Sequence, residues 1–145
     1  MDLYGPRKNI YIIENKPLPQ DVSYKTKLRE LYPGTINLVW AGFMTYGDNG
    51  PRDMINILSK MAKSNIHVHI YPITYNDNIE RQIIINCNNN DNLHFHQPVP
   101  YNELIDELSQ YDFGLHIYDI SKSEKYGYGS PTKVYEYAAA GIPTI

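Results

Sequence analysis

From Ile36 to the end of the chain, apolar runs of strand length alternate with stretches of helical length, and this order limits the fold more sharply than any other feature. Strands separated by helices form βαβ units, which build a parallel sheet with helices on both faces. The first run, INLVWAG from Ile36 to Gly42, leads into a loop with Gly47, Asp48, Asn49 and Gly50, and Pro51 stands where helices favour a start. Met54, Ile55, Leu58, Met61 and Ala62 recur three and four apart, giving a helix with one apolar stripe. A second strand spans Ile66 to Tyr71, and Pro72 is expected to end it because proline cannot donate to the ladder. The segment Asn78 to Cys87 has helical length, but Ile83, Ile84 and Ile85 are β-branched, so it stays open between helix and strand. After an Asn-rich turn comes a short strand, Leu93 to His96, and then Pro98 and Pro100 introduce a helix with Leu104, Ile105 and Leu108 on one face. A fourth strand, Phe113 to Tyr118, precedes a polar loop from Asp119 to Gly129. The last helix, Pro131 to Ala140, is closed by Gly141, and Ile142 to Ile145 begins another strand. Ahead of the alternation, Asn9 to Ile13 has strand character, and Pro17 and Pro19 mark a linker. The expected organisation is a leading strand and linker over 1–35. A Rossmann-like, doubly wound parallel α/β domain follows over 36–145, apparently truncated at its C-terminus.

Composition narrows the class of partner. A chain of 145 residues is about one domain, and 42% hydrophobic with 20% charged residues is the balance of a globular protein. The formal net charge is −3 and the 13 Lys and Arg are scattered, whereas nucleic-acid binding concentrates basic residues on one face. No nucleic-acid partner is expected. Cys87 is the single cysteine, which excludes an internal disulfide and any zinc site built on several thiolates, and it suits a reducing cytoplasm. No run approaches the 18 or so apolar residues of a transmembrane helix.

The segment Gly129 to Gly141, GSPTKVYEYAAAG, carries the chemistry. Ser130 is a good N-cap and Pro131 a favoured first helical residue. The free amides and positive dipole of such a helix start attract an anion, and Thr132 and Lys133 add a hydroxyl and an ammonium in the same turn. Glu136, three residues on, shares a face with Lys133, and its carboxylate can accept from the two hydroxyls of a ribose. Ala138, Ala139 and Ala140 let the helix approach a sheet closely. The spacing describes a clamp for a nucleoside diphosphate.

In this segment Lys133, Glu136, Tyr137, Ala139, Gly141 and Pro143 stand as in the K-x-x-E-Y-x-A-x-G-x-P signature of GT-B glycosyltransferases. The chain resembles the C-terminal, donor-binding domain of that class, notably glycosyltransferase family 4, over about Ile36 to Ile145. The resemblance implies one half of a GT-B architecture. Its donor is a nucleoside diphosphate sugar, with the diphosphate on Thr132, Lys133 and the Gly42 backbone and the ribose on Glu136. It also implies base contacts near Pro98 and Val99, and sugar or loop contacts at Tyr128 and Ser130. No cofactor and no obligatory metal is expected. The partner is the acceptor domain of the full-length enzyme, without which the fragment is inactive. Localisation is cytoplasmic, with peripheral membrane attachment through the missing part allowed for. No catalytic residue is identified. Two departures stand out. Tyr128 occupies the place of a second glutamate that holds the donor sugar in many family 4 enzymes. The loop Phe43 to Gly50, FMTYGDNG, lacks the arginine and lysine common there, and only Arg52 lies near.

Other readings stay open beside this one: a non-catalytic nucleotide-sugar-binding or interaction domain, and half of a nucleotide-sugar epimerase. His67 with His69 and His94 with His96 are each two apart and share a strand face, but as a metal site they are disfavoured, since helices are expected to cover those strands. Asp119, at a strand end, is divided between a turn residue and a ligand contact. Tyr135 and Tyr137 are expected to pack the helix.

Overall fold

A computed structural model describes residues 22–117 and 132–145. The elements are α1 (Leu28–Leu31), β1 (Ile36–Phe43), α2 (Ile55–Met61), β2 (Ile66–Ile73), α3 (Asp77–Asn88), β3 (Leu93–Phe95), α4 (Tyr101–Leu108), β4 (Phe113–Gly114) and α5 (Thr132–Ala139). The expected strand at Asn9 to Ile13 and the loop from Asp119 to Gly129 lie outside the described residues.

The four strands pair in parallel in the order β3-β2-β1-β4. Period-two alternation along β1 divides the core. Leu38 and Trp40 pack with Met54, Ile55 and Leu58 of α2 and Ile83 and Cys87 of α3 on one face. Val39 and Ala41 pack with Ile105 and Leu108 of α4 and Tyr137 of α5 on the other. Helices on both faces of a parallel sheet in this order make a Rossmann-like doubly wound α/β domain. Beyond β4 the chain adds the start of a further parallel strand. Gly114 N–H donates to Pro143 C=O at 2.9 Å and His116 N–H to Ile145 C=O at 2.8 Å.

Several boundaries differ from the sequence expectation. Pro72 does not end β2; it is buried inside the strand, in register with Gly42. The ladder explains why. Ile73 C=O accepts from Met44 N–H on the β1 side, while Ile70 C=O accepts from His96 N–H on the β3 side, so even-numbered residues face β3. β3 ends at Phe95, opposite Ile70, so at Pro72 no ladder bond is lost. Pro51 does not start α2, which begins at Ile55. Residues 51–54 instead close a self-bonded loop, in which the Asp53 carboxylate accepts from the N–H groups of Gly47 and Asn49. The segment over 78–87 is helical. The Asn76 side chain caps it by accepting from Asn78 and Ile79 N–H at 3.1 Å, and Ile85, the β-branched residue on the outer face, is left exposed.

Residues 22–35 lie against the domain. Ser23 N–H donates to the Asp106 carboxylate, Lys25 N–H to Ser109 Oγ, and Leu28 N–H to Gln110 C=O. α1 is a single turn that no apolar period signals. At the far end, Gly141 takes φ +69° and α5 closes with Ile142 N–H on Tyr137 C=O at 3.0 Å, the left-handed cap expected of a glycine there.

Candidate functional site

The chain lays β1, β2 and β3 outward in one direction and then returns to place β4 on the other side of β1. Ligands of such sheets bind beyond the carboxyl ends of the strands where the order reverses, here between β1 and β4. Gly42, Lys133, Arg52 and His116 converge on that point.

Gly42 is next to last in β1 and has φ +138°, a conformation that L side chains rarely adopt. A Cβ there would stand 2.7 Å from Lys133 Nζ, so the absent side chain is the space the ammonium occupies. Lys133, in the first turn of α5, reaches over the sheet edge and sets its Nζ 4.5 Å above the Trp40 ring. Burial lowers the Lys133 ammonium to about 8, with Arg52 adding to the fall and Glu136 opposing it. Arg52 stacks over the Phe43 ring at 5.2 Å. Burial also lowers the His116 imidazole, and Lys133 lowers it further. Glu136, one turn deeper in α5, is buried, which pushes its carboxyl up against the pull of Lys133. Among the described residues that act on Lys133, Arg52 adds like charge and Glu136 opposes it, so two cations gather at this end of β1, where an anion would be held.

Of the residues singled out in the sequence, Gly42, Lys133 and Glu136 come together here, and Thr132 is half-buried as the first residue of α5. Tyr128 and Ser130, with Asp119 and Pro131, lie outside the described residues. Pro98 is exposed, and Val99 packs inward against the core of Ala41, Tyr71 and Ile105. Of the three alanines expected to let α5 approach the sheet, Ala140 is buried in the core with Val39 and Ala41 and Ala139 packs against it, while Ala138 is exposed. Gly114 adds to the close approach: a Cβ there would lie 2.2 to 2.5 Å from the Tyr137 ring, whose hydroxyl donates to Leu115 C=O at 3.1 Å. Trp40 was not singled out. Its position two residues before Gly42 was the available signal, because residues i and i+2 share a strand face.

Four histidines form a second cluster, His67 and His69 on β2, His94 on β3 and His96 just past the end of β3. His67 Nδ1 and His94 Nε2 are 2.9 Å apart, as are His69 Nδ1 and His96 Nε2, and in each pair the ring centroids are 5.2 Å apart. Rings with planes 6° and 24° apart at that spacing meet end to end, sharing one N–H···N bond. A zinc ion needs about 2.0–2.1 Å to each nitrogen, so the gap between these facing nitrogens fits a proton and no ion. Asn37 fixes the tautomers of one row. Its Nδ2 donates to Thr35 Oγ1, which leaves Oδ1 to accept from His69 Nε2–H at 3.2 Å. Neutral His69 therefore accepts at Nδ1 from His96 Nε2–H. The two rows stack with His69 over His94 at 4.6 Å, and Tyr71 continues the stack on His96 at 4.7 Å. They floor a cavity of about 390 Å³ bounded by α1 and by Glu107 and Tyr111.

No protein-family model matches the chain, and no curated protein is significantly similar to it. Among the described residues no helix is long and apolar enough to cross a membrane.

Proposed function

We propose that this chain is the donor-binding domain of a GT-B-type glycosyltransferase, holding a nucleoside diphosphate sugar between β1 and β4. The observation that carries this reading is the seating of the Lys133 ammonium in the niche left by Gly42, beside Arg52 and one helical turn from buried Glu136. In this reading Lys133, Arg52 and the first amides of α5 hold the diphosphate, and Glu136 accepts from the ribose hydroxyls. The sequence resemblance to family 4 supports the same assignment. Charge growing on the departing diphosphate is stabilised by Lys133 and Arg52, groups already in place before reaction. A second domain supplies the acceptor, so the chain by itself holds donor and transfers nothing.

Two or three charge-assisted contacts at about 1.5–3 kcal/mol each, less the cost of association, give a nucleotide affinity on the order of 0.1–1 mM. The test is a titration of the 145-residue chain with UDP, GDP, ADP and CMP, followed by amide shifts, with Glu136→Ala as control. Saturable binding of a nucleoside diphosphate that moves Gly42 and Lys133 and weakens in the variant is the expected result. Shifts confined to the histidine cavity, or none up to several millimolar, would reject it.

A further inference from the structure

We propose that the cavity over the histidine rows is a second binding site, which takes an uncharged, flat nitrogen heterocycle by stacking it on the His67·His94 pair and hydrogen-bonding its edge. The site does not depend on the donor reading. Asn37, second in β1, lines the cavity, and Gly42 lies five positions further along that strand, roughly 16 Å away. A cavity of about 390 Å³ falls within the roughly 300–1,000 Å³ of small-molecule sites.

The shape of the floor suits a flat ring. The imidazoles of His67 and His94 lie within 6° of one plane, and both line the cavity, so together they offer an aromatic surface wider than one ring. His69 stacks on one face of His94, and among the described residues no ring covers the opposite face. The stack that runs from Tyr71 through His96 and His69 to His94 therefore stops with one face open, and a flat ligand extends it in the offset manner that aromatic pairs favour. Leu28 and Tyr32, one helical turn apart at α1, also line the cavity and add apolar surface.

The polar groups suit a ring that carries both a donor and an acceptor. Asn37 sets the proton order of the His69·His96 row, but among the described residues nothing of that kind acts on His67·His94. With both rings neutral, that pair shares one N–H between its facing nitrogens, so its two outer nitrogens carry one N–H and one lone pair, in either order. The pair can thus match a ligand edge of either polarity. Gln110 spends its amide N–H groups on Glu107, which leaves its carbonyl oxygen as a further acceptor. A charged ligand finds no partner among the described residues. Burial holds His69, His94 and His96 below the ordinary imidazole value, and Glu107 already binds Lys25, the Tyr71 hydroxyl and Gln110. A buried ion would stay unpaired there, whereas an uncharged ring would not incur that cost.

The experiment uses the 145-residue chain at pH 7.5 and four flat probes. Benzimidazole has one ring N–H and one ring acceptor, indole has the N–H alone, benzoate is an anion and benzamidine a cation. The ring protons of His67 and His94 are followed by NMR. Benzimidazole should bind saturably and shift both rings upfield, as a stacked ring does. Indole, short of one hydrogen bond, should bind about fivefold more weakly, and the two ions should leave the rings unmoved. His67→Leu keeps apolar bulk and removes half of the floor, so it should weaken benzimidazole about tenfold. The ring shifts of the parent protein need no variant and decide the question if His67→Leu fails to fold. Absence of saturable benzimidazole binding up to several millimolar, equal binding of indole, or tighter binding of benzoate would overturn the site. So would benzimidazole shifts centred on Gly42 and Lys133, which would put the ring in the anion site instead.

Discussion

At the scale of single residues, the candidate site is a compromise between folding and binding, centred on Lys133. Its ammonium is lowered to about 8 chiefly by burial, whereas an unfolded lysine titrates near 10.4. A folded base with a depressed value disfavours its own charged form, so the free protein should gain stability as pH rises from about 8 towards 10.4. Lys133→Met removes the buried charge and keeps the stem. The variant should be more stable than the parent at pH 7, by on the order of 1–2 kcal/mol in a urea melt, while losing most of its nucleotide affinity. A variant less stable than the parent would mean that the charge is well compensated.

The same residue sets a pH dependence for binding. A diphosphate needs Lys133 charged, so affinity for UDP should be nearly flat from pH 6 to 7.5 and fall up to about tenfold per unit once pH passes 8. Burial raises the Glu136 carboxyl, so the ribose contact should weaken on the acid side at a higher pH than an ordinary glutamate would give. Calorimetry at pH 8 in buffers of different ionisation enthalpy should show proton uptake on binding. Affinity that stays level to pH 9.5 would remove Lys133 from the phosphate contact.

At the scale of elements, α5 interlocks with the sheet at Gly114, where the Tyr137 ring lies in the space a side chain would take. Gly114→Ala should therefore destabilise the domain by about 3 kcal/mol through overpacking, and Tyr137→Leu should recover part of that loss in the double variant. Additive losses in thermal or urea melts would show that the two positions do not compete for space. The elements themselves were largely legible in the sequence, because apolar spacing records which face each one buries. Helices α2 and α4, four parallel strands and the glycine that closes α5 all follow from spacing and chain-end chemistry. What was not legible depended on neighbours. Pro72 is tolerated because β3 stops two residues short of it, and residues 51–54 stay out of α2 because Asp53 bonds back to Gly47 and Asn49. The helix over 77–88 is ambiguous by its β-branched isoleucines alone, and the Asn76 cap is what marks its start.

At the scale of the whole molecule, the sheet has chemistry at two places, and they differ in how far the sequence disclosed them. Lys133 and Glu136 share a helix face three residues apart, so their pairing was local and visible. Trp40, Arg52 and His116 join them only because the strand order reverses, which brings together residues 12 to 96 positions apart from them and each other. The histidine rows were visible as alternation on two strands, but the end-to-end N–H···N pairing depends on register, with His69 opposite His94. That pairing predicts an acid-sensitive fold. Burial, followed by neighbouring histidines, lowers His69 to about 2 and lowers His94 and His96; Glu107 partly opposes this at His96. An unfolded histidine protonates near 6.5, so these groups stabilise the fold fully above that value and progressively less as pH falls below it. His69 alone should account for about 2 kcal/mol lost between pH 7 and pH 5. Urea melts over that range should steepen towards acid, and His69→Phe, which keeps a flat ring against Tyr111 without a titrating nitrogen, should remove about one proton's worth of that slope. An unchanged slope in the variant would place the acid sensitivity on other groups that burial lowers, His94 and His96 first and then His116.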